Sequence, residues 1–134
     1  MFKKNRSRLL KIGIVGCGAI GSSLASEIAS NLRQDARLVA LYDIKREKAL
    51  CLSKKIRKNV KLCVDSLDSL IRRSDLVIEA SCARSAWDIT RKSLIAGCNI
   101  MVMSIGGMVG HLNQLYGLAK RNHGQVYLPT GAIA

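Results

Sequence analysis

Proline is almost absent from this chain, with Pro129 the one example in 134 residues, and so Pro-rich linkers and low-complexity tracts are excluded. Aromatic residues make up only 4% of the sequence (Phe2, Tyr42, Trp87, Tyr116 and Tyr127). That scarcity argues against a dedicated single-strand or RNA binder, which stacks bases on aromatic rings. There are two histidines, His111 and His123, and five cysteines (Cys17, Cys51, Cys63, Cys82 and Cys98) with no Cys-x-x-Cys. Neither a zinc site nor a disulfide framework is indicated, and the mostly apolar neighbours of the cysteines suggest buried, reduced thiols. No apolar run reaches the ~18 residues of a membrane helix. Acidic residues are also scarce: nine Asp and Glu against 22 Lys and Arg give a net charge of +13, which favours anionic partners such as phosphates.

The length fits one domain spanning residues 1–134, and the 49% hydrophobic content suits a folded core. The N-terminus imitates a secretory signal, because Lys3, Lys4, Arg6, Arg8 and Lys11 precede the apolar stretch Ile12 to Ala25. Four glycines inside that stretch have a better use, and the expected location is the cytoplasm. From Leu9 onward, short β-branched runs alternate with helical patterns, the signature of βαβ units in an α/β, doubly wound parallel sheet with helices on both faces. About six strands are expected: Lys11 to Val15, Arg37 to Tyr42, Val60 to Val64, Leu76 to Ala80, Asn99 to Ser104 and Gln125 to Leu128. Helices are expected over Ala19 to Leu32, Lys45 to Lys58, a short segment ending near Arg73 and capped by Ser66 or Asp68, Ser85 to Ala96, and Val109 to Asn122. On the first of these, Ile20, Leu24, Ile28 and Leu32 define the expected apolar face.

Between the first strand and the first helix the chain reads Gly16-Cys17-Gly18-Ala19-Ile20-Gly21. In a Gly-x-Gly-x-x-Gly at this place, Gly16 permits the tight turn and Gly18 lets the backbone approach a pyrophosphate. Gly21 lets helix and strand pack closely, and the helix N-terminus stabilises the phosphate charge. Asp43 follows Gly21 by 22 residues, at the end of the second strand, where a carboxylate accepts hydrogen bonds from the adenosine ribose. Asp43 also suits a turn or helix cap. Its charge favours NAD, whereas Lys45 and Arg46 just beyond it are placed to clamp the extra phosphate of NADP.

Ligands of open α/β sheets lie outside the carboxyl ends of the strands, so Ala80, Ser81 and Cys82 after strand four and Ser104 after strand five are further candidate cofactor contacts. Glu79 reads as a structural carboxylate hydrogen-bonded near the cleft, with an acid–base role as the alternative. Both histidines fall at the ends of one helix, which favours a surface position over catalysis.

With these motifs placed, the sequence resembles the N-terminal NAD(P)-binding domain of the L-aspartate dehydrogenase family from Lys11 to Ala134. The resemblance rests on Gly13 to Gly21, Leu76 to Ala80, the Ser104 turn and, most specifically, Leu128 to Ile133 (Leu-Pro-Thr-Gly-Ala-Ile). Thr130 replaces the family's usual serine, and Ser104 to Met108 departs from its common Ser-x-Gly-Ala-Leu. The resemblance implies oxidative deamination of L-aspartate to iminoaspartate with hydride transfer to NAD or NADP, and it places Gly131 and Ala132 by the nicotinamide. It further implies that the catalytic histidine and most substrate contacts belong to a second domain absent from these residues, without which apolar surface is exposed and homo-oligomers are expected. Two alternatives remain. One is a stand-alone dinucleotide-binding or basic nucleic-acid-binding module, and the other a different substrate, since dihydrodipicolinate reductase and homoserine dehydrogenase resemble the same half.

Overall fold

In the computed structural model, residues 8–58 and 60–129 are described. They build strand β1 (Leu10–Val15), helix α1 (Ala19–Ser30), β2 (Ala36–Tyr42), α2 (Arg46–Arg57), α3 (Leu67–Arg73), β3 (Leu76–Glu79), α4 (Ala83–Ile95), β4 (Asn99–Val102), a 3-10 turn (Ile105–Met108), α5 (Leu112–Asn122) and β5 (Val126–Tyr127). The five strands form one sheet in the order β2-β1-β3-β4-β5, and every pairing is parallel.

Alternation along the strands divides the core into two layers. Ile12 and Ile14 of β1, with Leu38 of β2 and Ile78 of β3, pack against Ala25 and Ile28 of α1 and Leu52 of α2. On the opposite face Val15, Ala40, Val77, Ile100 and Val102 meet Leu70 of α3, Ile89 and Leu94 of α4, and Leu115 of α5. Helices therefore cover both faces, as the sequence pattern requires of an all-parallel sheet.

Several boundaries differ from the sequence expectation. The expected third strand is reduced to a single parallel bridge, Leu41 to Cys63, on the outer side of β2. The bridge occupies a sixth position at the sheet edge, but the segment is too short and its flanks too charged to extend a ladder. The expected helix from Val109 begins only at Leu112, after a 3-10 turn and Gly110 at φ +87°. On α1 the buried residues are Gly21, Ala25 and Ile28, whereas Ile20 is 56% exposed and Leu32, beyond the end of the helix at Ser30, is 43% exposed. The small residues let the helix axis approach the sheet, which turns Ile20 outward. Ser66 caps α3 as expected, its hydroxyl accepting from the Ser69 N–H at 3.0 Å.

Register determines where the loops emerge. Val15 pairs with both Tyr42 and Glu79, and Glu79 pairs with Val102, so four strands end in one row. The segments beginning at Gly16, Asp43, Ala80 and Met103 consequently leave the sheet side by side. The chain runs from β1 outward to β2, then returns past β1 to β3, so the strand order reverses between β1 and β3. In open α/β sheets such a reversal opens a crevice at the strand ends.

Candidate functional site

The glycine loop is fixed by backbone contacts on both sides. Gly16 donates its N–H to the Tyr42 carbonyl at 2.8 Å, and Ala80 donates to the Val15 carbonyl at 2.8 Å. Gly16 has φ +101°, and a Cβ there would overlap the Ala80 carbonyl. A Cβ on Gly21 would overlap the Gly16 carbonyl, while one on Gly18 would meet no atom within 4 Å. The first and third glycines are thus required by the protein's own packing, and the middle one keeps an approach from outside clear. Gly18 is also the N-cap of α1, with no side-chain cap and no acidic residue in the first turn. The N–H groups at this helix end are left to stabilise an external anion.

Asp43 organises the loop next to it. Its Oδ2 accepts the Cys17 N–H and its Oδ1 the Lys45 N–H, both at 2.8 Å. The carboxylate therefore locks the glycine loop to the end of β2 and forms the turn into α2, with lone pairs remaining for ribose hydroxyls. The two roles expected from the sequence coexist. Cys17 beneath it is buried, and that burial, reinforced by Asp43, pushes its thiol up to about 12.

These segments border a cleft of about 480 Å³. Gly16, Gly18, Asp43, Ala80, Ser81 and Cys82 all line it, so six of the expected contacts from three separate segments converge. Ala19 and Ile20 stand exposed at the start of α1, and Gly21 is buried beneath them. Ser104 is turned toward Glu79, donating both its N–H and its hydroxyl at 2.8 Å. Gly131 and Ala132 lie outside the described residues, as does Thr130.

The cysteine expectation needs correction, because Cys51 and Cys82 are exposed and only Cys17 and Cys98 are fully buried. Cys82 opens α4, and a hydrogen bond with the Ser85 hydroxyl holds its thiol below the ordinary range. Arg46 does not line the cleft but pairs with Asp65 at 2.9 Å. His111 stacks on Trp87, with ring centroids 4.5 Å apart, and His123 ends α5; neither borders the cleft.

Sequence reasoning missed Lys48 on one wall and Ser85, Asp88, Ile89 and Lys92 on the other. The second group repeats at helical spacing on one face of α4, and that stripe was a readable signal once the helix was placed beyond a strand end. Ile44, 90% exposed, and Leu67 add apolar lining. Lys45, Lys48 and Lys92 surround the cleft with positive charge, partly offset by Asp43 and by Asp88, which lies 3.5 Å from Lys92. A groove with a basic rim, an open helix N-terminus and a carboxylate at the adjoining strand end suits a ligand with phosphates and sugar hydroxyls.

Fold and site together define a Rossmann-type NAD(P)-binding domain. The chain belongs to the family described as "Homoserine dehydrogenase, NAD binding domain", whose model matches residues 16–129. An L-aspartate dehydrogenase of Methanocaldococcus jannaschii is 38% identical over 128 residues, which make up 93% of this chain and 47% of that protein. Another, from Methanosarcina mazei, is 37% identical over 127 residues, covering 93% of this chain and 46% of its own length. The resemblance seen in the sequence is borne out, and the chain spans about half the length of the curated relatives it matches. Among solved structures, UDP-N-acetylglucosamine 3-dehydrogenase GnnA from Acidithiobacillus ferrooxidans superposes with a TM-score of 0.80 at 18% identity, over 91% of this chain and 38% of that one. An apo scyllo-inositol dehydrogenase from Lactobacillus casei gives 0.79 at 21%, over 91% and 36%. These two likenesses show the fold alone. No described helix is long and apolar enough to cross a membrane.

Proposed function

We propose that the cleft holds NAD(P), with the diphosphate at the N-terminus of α1 and the adenosine ribose on Asp43. The nicotinamide half then extends over the ends of β3 and β4, with Ser81, Cys82 and Ser104 near it and the segment of Gly131 and Ala132 at its far end. When bound, the nicotinamide supplies hydride chemistry, and the residues of this chain bind and orient it. The observation that carries this reading is the convergence of Gly16, Gly18 and Asp43 on one cleft with a basic rim. Asp43 favours NAD, because its carboxylate repels a phosphate on the ribose. Lys45 and Lys48 favour the second reading, NADP as an accepted ligand, since both line the same cleft.

The activity to which this half contributes is, on the same reading, oxidative deamination of L-aspartate. Support comes from relatives named L-aspartate dehydrogenase that match 93% of the chain. Substrate groups and the acid–base residue come from a second domain, in keeping with both histidines standing away from the cleft. Free thiols at all five cysteine positions suit the cytoplasm. The test combines this chain with the separately produced second half of the Methanocaldococcus jannaschii enzyme. L-aspartate-dependent NADH formation is expected. Formation with L-homoserine instead would overturn the substrate assignment, and no turnover despite tight NADH binding would overturn the assignment to an aspartate dehydrogenase.

A further inference from the structure

Glu79 is the last residue of β3, and its side chain is fully buried. A carboxylate in such a place is costly unless its charge is paired or its oxygens are hydrogen-bonded. None of the described ion pairs includes Glu79. Four donors converge on it instead. Ser81 gives its N–H at 2.9 Å and its hydroxyl at 2.8 Å to Oε2. Ser104 gives its N–H to Oε1 and its hydroxyl to Oε2, both at 2.8 Å. The two serines stand on different loops, one after β3 and one after β4.

The parallel ladder between these strands ends with Met103 donating to the Glu79 carbonyl at 3.0 Å. Beyond that bond the carboxylate ties the first residues of the two loops together, accepting from Ser81 on one and Ser104 on the other. We propose that Glu79 is a positioning residue, a brace fixing the Ser81–Cys82 and Ser104 loops as the floor under the nicotinamide half of the cofactor. The inference rests on the dinucleotide reading above. Because the strand order reverses between β1 and β3, the adenosine half lies on the β2 side with Asp43, and the nicotinamide half lies over β3 and β4, where the brace is.

The polarity of the brace makes it testable. Each carboxylate oxygen accepts one backbone N–H, and a backbone N–H cannot rotate away. Glutamine has nearly the same volume but only one acceptor oxygen, so Glu79→Gln sets an NH2 against a donor and releases one of the two loops. Both NADH and ADP-ribose, which lacks the nicotinamide, are titrated into the full chain and into this variant by calorimetry, with NADH emission recorded alongside. The expected result is NADH binding weakened about ten-fold, the size of one charge-assisted hydrogen bond, with ADP-ribose binding changed by less than about two-fold. Bound NADH should also emit closer to free NADH in the variant. Equal losses for both ligands would show only general loosening, and unchanged NADH binding would show no role; either overturns the brace. If circular dichroism shows that Glu79→Gln does not fold, Ser104→Ala decides the matter. It removes one donor and keeps the carboxylate, so the same selectivity is expected at a few-fold, and its absence overturns the proposal. Failure of the unaltered chain to bind ADP-ribose would instead overturn the underlying reading of the cleft.

Discussion

Gly16, Gly18 and Gly21 share a motif but not a constraint. A methyl group on Gly21 would overlap the Gly16 carbonyl, which as backbone cannot swing aside as a flexible side chain would. Gly21→Ala is therefore expected to destabilise the fold by about 1–3 kcal/mol, the usual cost of overpacking, read as a lower thermal midpoint. An unchanged midpoint would mean that the close approach of α1 to the loop is not needed. Asp43 is constrained differently, because both of its oxygens accept backbone N–H groups. Asp43→Asn keeps one acceptor and removes the charge, so NADH binding should weaken while the NADPH-to-NADH affinity ratio rises about ten-fold, the change expected when a like charge leaves a phosphate site. A ratio that did not move would remove Asp43 from cofactor selection and leave it as a loop organiser.

Among the elements, those legible in the sequence were the ones whose local pattern and tertiary setting agree. β1, β2 and β3 carry β-branched and aliphatic runs that the sheet buries on both faces, and the Gly-x-Gly-x-x-Gly between β1 and α1 could be read directly from its spacing. The segment around Cys63 was not, because Val60 to Val64 has strand-like residues but, among the described residues, bridges to the sheet at Leu41 alone. The lining of α4 was missed for a different reason. Ser85, Asp88 and Lys92 are unremarkable on a surface helix and acquire meaning only when register sets them opposite Asp43 and Lys48. Likewise Glu79 could be suspected as a structural carboxylate, but its link to Ser104 spans 25 residues and depends on β3 and β4 being neighbours. The end of α5 offers a test at this scale. His123 holds a left-handed conformation at φ 55°, a place glycine fills with less strain. His123→Gly is expected to stabilise the domain by about 0.5 kcal/mol in denaturant unfolding, since relief of left-handed strain outweighs the added freedom of the unfolded chain. A loss of stability would show that the imidazole makes a contact worth more than that strain.

For the whole molecule, the two buried thiols shape the alkaline limit of stability. Burial raises Cys17 from the ordinary 9.0 to about 12 and, as the largest of its causes, raises Cys98 to about 11. Below pH 9 both are protonated in the folded and unfolded chains alike, so they cost nothing there. Above it the unfolded chain releases protons that the folded chain retains, and stability falls as pH rises toward the folded values. The expected loss is on the order of 1 kcal/mol per thiol per pH unit, measured by urea unfolding between about pH 9 and 11. Cys17→Ala and Cys98→Ala should flatten that slope, and an equally steep slope in the double variant would place its origin elsewhere.

The central claim is that the row of strand ends from β2 to β4 forms a dinucleotide cleft whose phosphate end is kept open by Gly18. Titration of the chain with NADH, followed by nicotinamide fluorescence and repeated with Gly18→Val, tests it most directly. A Cβ at Gly18 meets nothing in the protein, so the variant should still fold, with its thermal midpoint lowered only by the loss of a good N-cap residue, and lose saturable binding. Binding that survives the valine, or a chain that never binds NADH, would contradict the assignment of the cleft.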